Sequence, residues 1–443
     1  MIMRFHVPSL ASSSPAAVRP VFPGAGVLTG CKRRFLPPAS TCLVMLMLLF
    51  MGMFTATYEI LLRPTRTVYL VYVLIALGTG VAAWWNRKEQ RFVGIITGIA
   101  VWAACALPFI LHTESSIRGL VLSVMFVIIL PAAFFLMGYL GGRRMPEYLI
   151  AVLLLAGFLS LLLASMCVLS PENDKVLQGF AHRGYNERIF LNWFFPERPL
   201  TGTILAMNCI GLAMASCFLT WPRPLWMRLL ALLGYVGFAV FSVRIGTRTS
   251  LFASVFGLLC ISPHYFRVMF RQRSQGVLIA LFVFSIGAGL WYVQQFVSQY
   301  IMQRFDVSAL RDASFSGRTG IWFENLQVIA GNIMGHGFMA TSYEGALTSH
   351  NLYIDMAYTL GVLPGGIALA FFAYAGITAL RTLVRASSSL VALSFAAAII
   401  TGLTINMFEA SIRSCYGAFC LIMLAIGAHL SFWWLPRLNS AKG

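Results

Sequence analysis

Long apolar runs broken by short polar turns constrain this chain more than any other feature. A helix needs about 20 predominantly apolar residues to cross about 30 Å of hydrocarbon, where its backbone groups find no water to bond. Such runs occur near 41–62, 67–85, 92–111, 119–140, 148–170, 200–220, 225–243, 249–263, 276–295, 353–379, 388–407 and 414–434, the eighth being the shortest. With 59% hydrophobic and 10% charged residues, the expected solvent for most of the protein is lipid. The expected fold is all-α, a polytopic transmembrane helical bundle of about 12 spans with a partly helical outer loop. Residues 1–39 are rich in Pro, Ser and Ala and are expected to be a disordered cytoplasmic N-terminus. Residues 40–434 then form a single transmembrane domain that includes outer loops 171–199 and 296–352, and 435–443 a cytoplasmic tail.

The net charge of +18 suggests a polyanionic partner until it is sorted by side. With the N-terminus inside, the cytoplasmic segments hold 19 of the 32 cations but only the acids Glu89 and Glu147. The outer segments hold the other 13 cations and 12 acids, so net charge is +17 inside and +1 outside. That asymmetry is the positive-inside rule, and it assigns the basicity to topology rather than to nucleic acid. An even number of spans returns the C-terminus to the cytoplasm. The nine cysteines show no C-x-x-C spacing and avoid the long outer loops, so they read as small packing residues. The first apolar run is too long for a signal-peptide core and lacks an A-x-A site, so it is expected to be an uncleaved anchor.

A transporter would carry ionisable residues deep within its spans. Here Glu59, Glu147 and Asp355 lie near span ends, and His429 is the main interior exception, read as a packed histidine. The polar chemistry gathers in loops 171–199 and 296–352, whose aromatics (Trp193, Phe194, Phe195, Phe305, Trp322 and Phe323) argue for order at the interface. Residues 316–330 are expected to form a short amphipathic helix on the outer membrane surface. Ser316 would cap it, and Ile321, Trp322, Leu326 and Ile329 would share its apolar face. The glycine-punctuated segment 331–337 then reads as turn.

Arginines Arg183, Arg188, Arg198, Arg244, Arg248, Arg304, Arg311 and Arg318 face outward in this topology. A guanidinium fork suits bidentate phosphate contacts, and several converging on one site would hold a pyrophosphate. The plainer alternative is contact with lipid headgroups, or pairing with Glu187, Glu197, Asp306 and Asp312. Arg318 is best placed, in the first turn of an expected helix whose free N–H groups also attract anions. His350 opens the tenth span, with Asn351 beside it. A helix N-terminus disfavours the imidazolium, leaving a neutral ring able to act as general base; the alternative is an interfacial histidine that only caps the span. His182 and His336 have weaker contexts. No HExxH or Cys/His metal spacing occurs in these loops, so the expected reaction uses no metal or other cofactor.

Four stretches resemble the O-antigen ligase and O-antigen polymerase superfamily of bacterial envelope glycosyltransferases. They are Ser316-Gly-Arg-Thr-Gly-Ile-Trp322, Ile333-Met-Gly-His-Gly-Phe338, Ser349-His-Asn-Leu-Tyr-Ile-Asp355 running into Leu360-Gly-Val-Leu-Pro-Gly-Gly366, and Ser242-Val-Arg-Ile-Gly-Thr-Arg-Thr-Ser250. Upstream, Glu197-Arg-Pro-Leu-Thr-Gly202 is similar to the family's Asn-Arg segment, with Glu in place of Asn. The resemblance implies an enzyme of the bacterial inner membrane with its active site in the periplasm. It would transfer a polysaccharide from undecaprenyl diphosphate to lipid A–core by inverting glycosyl transfer without a metal. His350 would be the catalytic base. Arg198, Arg318 and Arg248 would bind the donor pyrophosphate, with Arg188 competing for the place of Arg198 and Arg244 for that of Arg248, and Asn351 would support. Partners would be the lipid-linked donor, lipid A–core as acceptor and membrane lipids, with no nucleic acid. A polymerase or a protein-modifying transferase of the same superfamily, or a flippase for the lipid-linked sugar, are the rival readings.

Overall fold

The computed structural model describes residues 39–57, 67–86, 90–114, 116–168, 318–337, 351–385, 389–407 and 416–434, with isolated helical residues Phe284, Gly287 and Trp291. The described residues are 93% helical with no strand. In chain order the helices are α1 (Ala39–Thr57), α2 (Thr67–Asn86), α3 (Gln90–Thr113), α4 (Ile117–Val124), α5 (Leu130–Arg144), α6 (Pro146–Val168), α7 (Arg318–Gly331), α8 (Leu352–Leu360), α9 (Val362–Val384), α10 (Leu390–Asn406) and α11 (Tyr416–Trp434). Three helical stretches, Val93–Thr113, Ile117–Arg144 and Val362–Val384, are long and apolar enough to cross a membrane, and five more apolar helices are shorter. The expected spans between 200 and 295 and loop 171–199 lie outside the described residues, as do 296–317 and 338–350 of the second loop.

Helices α4 and α5 join through a single π-turn, Met125–Ile129, for which Pro131, at the second position of α5, gives the physical reason. A proline has no N–H to donate to Val127 O, four residues back, or to Phe126 O, five back. Unpaired carbonyls cost several kcal/mol each in hydrocarbon. Side chains of two other helices satisfy these. The Trp102 indole N–H of α3 donates to Val127 O at 3.2 Å, and the Tyr416 hydroxyl of α11 donates to Phe126 O at 2.8 Å. The same region carries an edge-to-face aromatic chain: Phe54 to Tyr72 at 5.8 Å, Tyr72 to Phe126 at 5.3 Å, and Phe126 to Tyr416 at 4.5 Å.

The core is built around α11, buried wherever its side chains are described except near its end. Its closest partner is α5, and the two run parallel: Gly138 abuts Leu424, and Gly142 abuts Ala428. A Cβ on Gly142 would stand 2.6 Å from Ala428 Cα, while one on Gly138 or Gly427 would meet the backbone of Leu424 or Phe135. Without water to drive apolar surfaces together, helices in lipid associate through such close backbone approach at small residues. Further contacts join helix ends: Tyr148 donates to Met45 O, Arg385 lies over Trp433, Ser123 donates to Glu114, and the Asn351 amide donates to Met407 O.

One expectation is corrected. The tenth run is not one helix over 353–379; it is α8 and α9, reversed at Gly361. In the helix expected at 316–330, Leu326 is exposed and Asn325 is buried. Asn325 and Ile329 are buried and Ile321 and Trp322 half-buried, and the Asn325 amide is tolerated because it donates to Ile321 O at 2.9 Å.

Replacing Gly427 with Val should force α5 and α11 apart and cost about 1–3 kcal/mol or more. Gly80→Ala, at an open and exposed position, should cost nothing. Melting temperatures of the two variants purified in the same detergent check this; equal values would mean that the helices do not meet at Gly427.

Candidate functional site

The segment with the family-like His-Asn motif enters a helix that points the unexpected way. If α8 and α9 were collinear, Tyr353 and Phe372 would stand about 28 Å apart. Instead their rings lie 6.1 Å apart, and a Cβ on Gly365 would come 2.6 Å from Ala357 Cα. The two helices therefore form an antiparallel hairpin with Gly361 at its apex. That residue has φ 88° and ψ 167°, a region open essentially to glycine alone. The start of α8 consequently lies alongside Phe372, roughly 15 Å down α9 from its first residue.

The last carbonyls of α8 are taken up by the glycine-punctuated turn. His336 N donates to Tyr358 O at 2.9 Å, Gly337 N to Thr359 O at 3.0 Å, and Val362 N to Ile333 O at 2.9 Å. Gly335 and Gly337, both at positive φ, let the turn lie flat against this end, and a Cβ on Gly335 would reach 2.5 Å from Gly361 N. Asn332 braces the turn, its amide donating to Gly335 O at 3.0 Å. The imidazole of His336 stacks on the Tyr358 ring at 4.4 Å and 8°. Stretches that are separate in sequence, 333–337 and 358–366, are thus one structural unit.

Asn351 is the N-cap of α8. Its side-chain oxygen accepts from Tyr353 N at 3.0 Å and Ile354 N at 3.2 Å, and its amide donates to Met407 O at the end of α10 at 3.1 Å. One turn on, the Tyr353 hydroxyl donates to Leu403 O at 3.2 Å. Asn351 thus fixes the start of α8 against α10. Asp355 lies in the first turn of α8 and is buried, at 2% exposure, where the partial positive charge of the helix start favours negative charge. Asn351, Asp355 and Thr359 form one buried polar row at i, i+4, i+8.

Arg318 is the first residue of α7, as expected, and α7 packs on α8. His350, Arg188, Arg198, Arg244 and Arg248 lie outside the described residues, as does Ser316. Sequence reasoning passed over Glu114. It follows α3, accepts the Ser123 hydroxyl at 2.6 Å, and would stand 3.2 Å from a Cβ on Gly337. Its carboxylate therefore sits at the glycine turn, a placement that a lone acid in a short loop does not advertise. Among the described residues no group of three His, Cys, Asp or Glu could hold a metal ion. An apolar cavity of about 310 Å³ opens between α3, α5, α9 and α11, lined by Gly94, Gly98, Trp102, Phe135, Phe371 and, from α8, Met356.

Gly361→Ala should strain the hairpin apex and cost about 1–3 kcal/mol. Thermal unfolding of the purified variant reads this; an unchanged midpoint would mean that α8 and α9 do not reverse there.

A scan against protein-family models finds no match to this chain, and a search of curated proteins finds none either.

Proposed function

We propose that the protein is an O-antigen ligase of the bacterial inner membrane, transferring polysaccharide from undecaprenyl diphosphate to lipid A–core on the periplasmic side. The observation that carries this reading is the convergence at one end of the bundle of segments far apart in sequence. The helix that begins at Arg318 packs on α8, and the Gly-His-Gly turn packs on the apex of the α8–α9 hairpin. These are the segments in which the resemblance to the ligase and polymerase superfamily resides.

The chemistry follows from that arrangement. A neutral His350 takes the proton of the acceptor hydroxyl as it attacks the anomeric carbon of the donor, and undecaprenyl diphosphate leaves from the opposite face. Guanidinium groups, Arg318 first and then Arg198 and Arg248, with Arg188 and Arg244 as their competitors, stabilise the charge that develops on the departing pyrophosphate. The apolar cavity among α3, α5, α9 and α11 offers a prenyl chain space between helices.

In cells, His350→Ala should lower ligation by roughly 10²–10⁴-fold while the protein still inserts. Lipopolysaccharide gels would then show bare core, with polymer retained on its carrier. Core carrying a single repeat unit would instead identify a polymerase, and donor trapped on the cytoplasmic side a flippase. Arg318→Lys keeps the charge and loses the fork, and should reduce transfer by about 10²-fold in membranes supplied with lipid-linked donor. Full activity would remove Arg318 from pyrophosphate binding.

A further inference from the structure

Two helices carry the wall of the apolar cavity on to a pair of arginines. On α9 the lining residues Ile367, Phe371 and Tyr374 are followed by Arg381 and Arg385, all within about 40° of one line down the helix. On α11 the lining residues Phe419, Met423 and Leu430 are followed in the same way by Trp433. The two lines meet at their ends, where the Arg385 guanidinium lies 4.8 Å from the centre of the Trp433 ring. Arg381 and Arg385 are both exposed, and helices α9, α10 and α11 contain no carboxylate.

The cavity opens at the side of the bundle, where Gly94 and Gly98 on α3 and Tyr374 on α9 are exposed. A Cβ at either glycine would meet nothing within 4 Å, so this wall has no side chain of its own. Apolar walls give water no partner, whereas the hydrocarbon around a spanning bundle fills such a recess without loss of hydrogen bonds. A chain whose far end lies beside Phe371 has its head at Arg381, roughly 15 Å along α9, which is the depth of one leaflet. The guanidinium pair selects an anionic head. Cation–π contact with Trp433 uses the charge of Arg385 and none of its N–H donors, which suit phosphate oxygens. This phosphate is not that of the proposed donor, because Arg385 follows the hairpin apex Gly361 by roughly 36 Å of helix.

We propose that the cavity and the Arg381–Arg385 end of α9 form one groove for an anionic phospholipid of the surrounding bilayer, with an acyl chain between α3 and α9 and the phosphate on the two guanidinium groups beside Trp433. The groove uses no residue placed in the transfer reaction and does not depend on that reading.

Native mass spectrometry of the full chain, titrated in detergent with phosphatidylglycerol or phosphatidylcholine, tests this. Phosphatidylglycerol should bind roughly tenfold tighter, and Arg381→Gln with Arg385→Gln should bring the two lipids level. Gly94→Leu should weaken both lipids by filling the recess, while Gly80→Leu, at an open glycine outside the cavity, should change neither. Equal binding of the two lipids by the unaltered protein, or a preference that survives the double substitution, overturns the head-group site. Binding unchanged in Gly94→Leu removes the chain from the cavity, and displacement by glycerol phosphate, which has no chain, reduces the groove to a plain anion site and refutes the proposal. Should the variants fail to fold, a cryo-EM map of the unaltered protein in phosphatidylglycerol nanodiscs decides it. Chain density between α3 and α9 that ends in a head group at Arg381 and Arg385 supports the groove, and an empty cavity or a head group at the α8–α9 end refutes it.

Discussion

Hydrocarbon offers no partner to a backbone N–H or C=O, and every irregularity in this bundle is arranged around that fact. Pro131 has no N–H to donate, and the carbonyls of Val127 and Phe126 accept from Trp102 and Tyr416. Helix α8 stops after nine residues, and its final carbonyls are met by the N–H groups of His336 and Gly337. Helix α10 ends at Asn406, and the carbonyl of its C-cap Met407 receives the Asn351 amide. In each case the remedy comes from a different helix or turn, so satisfying the backbone also cross-links the fold. Among the described residues, these irregular backbone groups are met by protein.

These remedies differ in rigidity, and function is proposed at the end where they are densest. Glycine contacts between α5 and α11 permit almost no adjustment, since backbone meets backbone. The α8–α9 hairpin is held instead by discrete hydrogen bonds at Asn351, Tyr353 and the glycine turn, around a single apex residue. A rigid scaffold carrying one well-braced short helix is suited to hold a reactive side chain at fixed depth while bulky substrates approach.

The membrane character of the chain was legible because composition and charge asymmetry are averaged over hundreds of residues and do not depend on detail. The glycine turn at 331–337 and the helix beginning at Arg318 were legible too, since glycine spacing and helical periodicity are local. The reversal at Gly361 was not. Hydropathy measures how apolar a segment is and carries no direction, so two apolar helices separated by one glycine read as one span. The burial of Asn325 carried no sequence signal: an amide that bonds its own helix's backbone behaves in packing as a less polar residue than its type suggests. Glu114 was invisible because its significance lies in a contact with a turn more than 220 residues away.

The parallel pairing of α5 with α11 has a consequence for synthesis. Almost 290 residues separate Gly138 from Leu424, so the helix that fills the centre of the bundle reaches the membrane long after the surface it must cover. Until then the two-glycine face of α5 and the Phe126 carbonyl face lipid or a provisional neighbour, a state that cellular surveillance is equipped to detect. A ribosome that stalls before residue 416 leaves behind helices that are inserted yet lack their common centre.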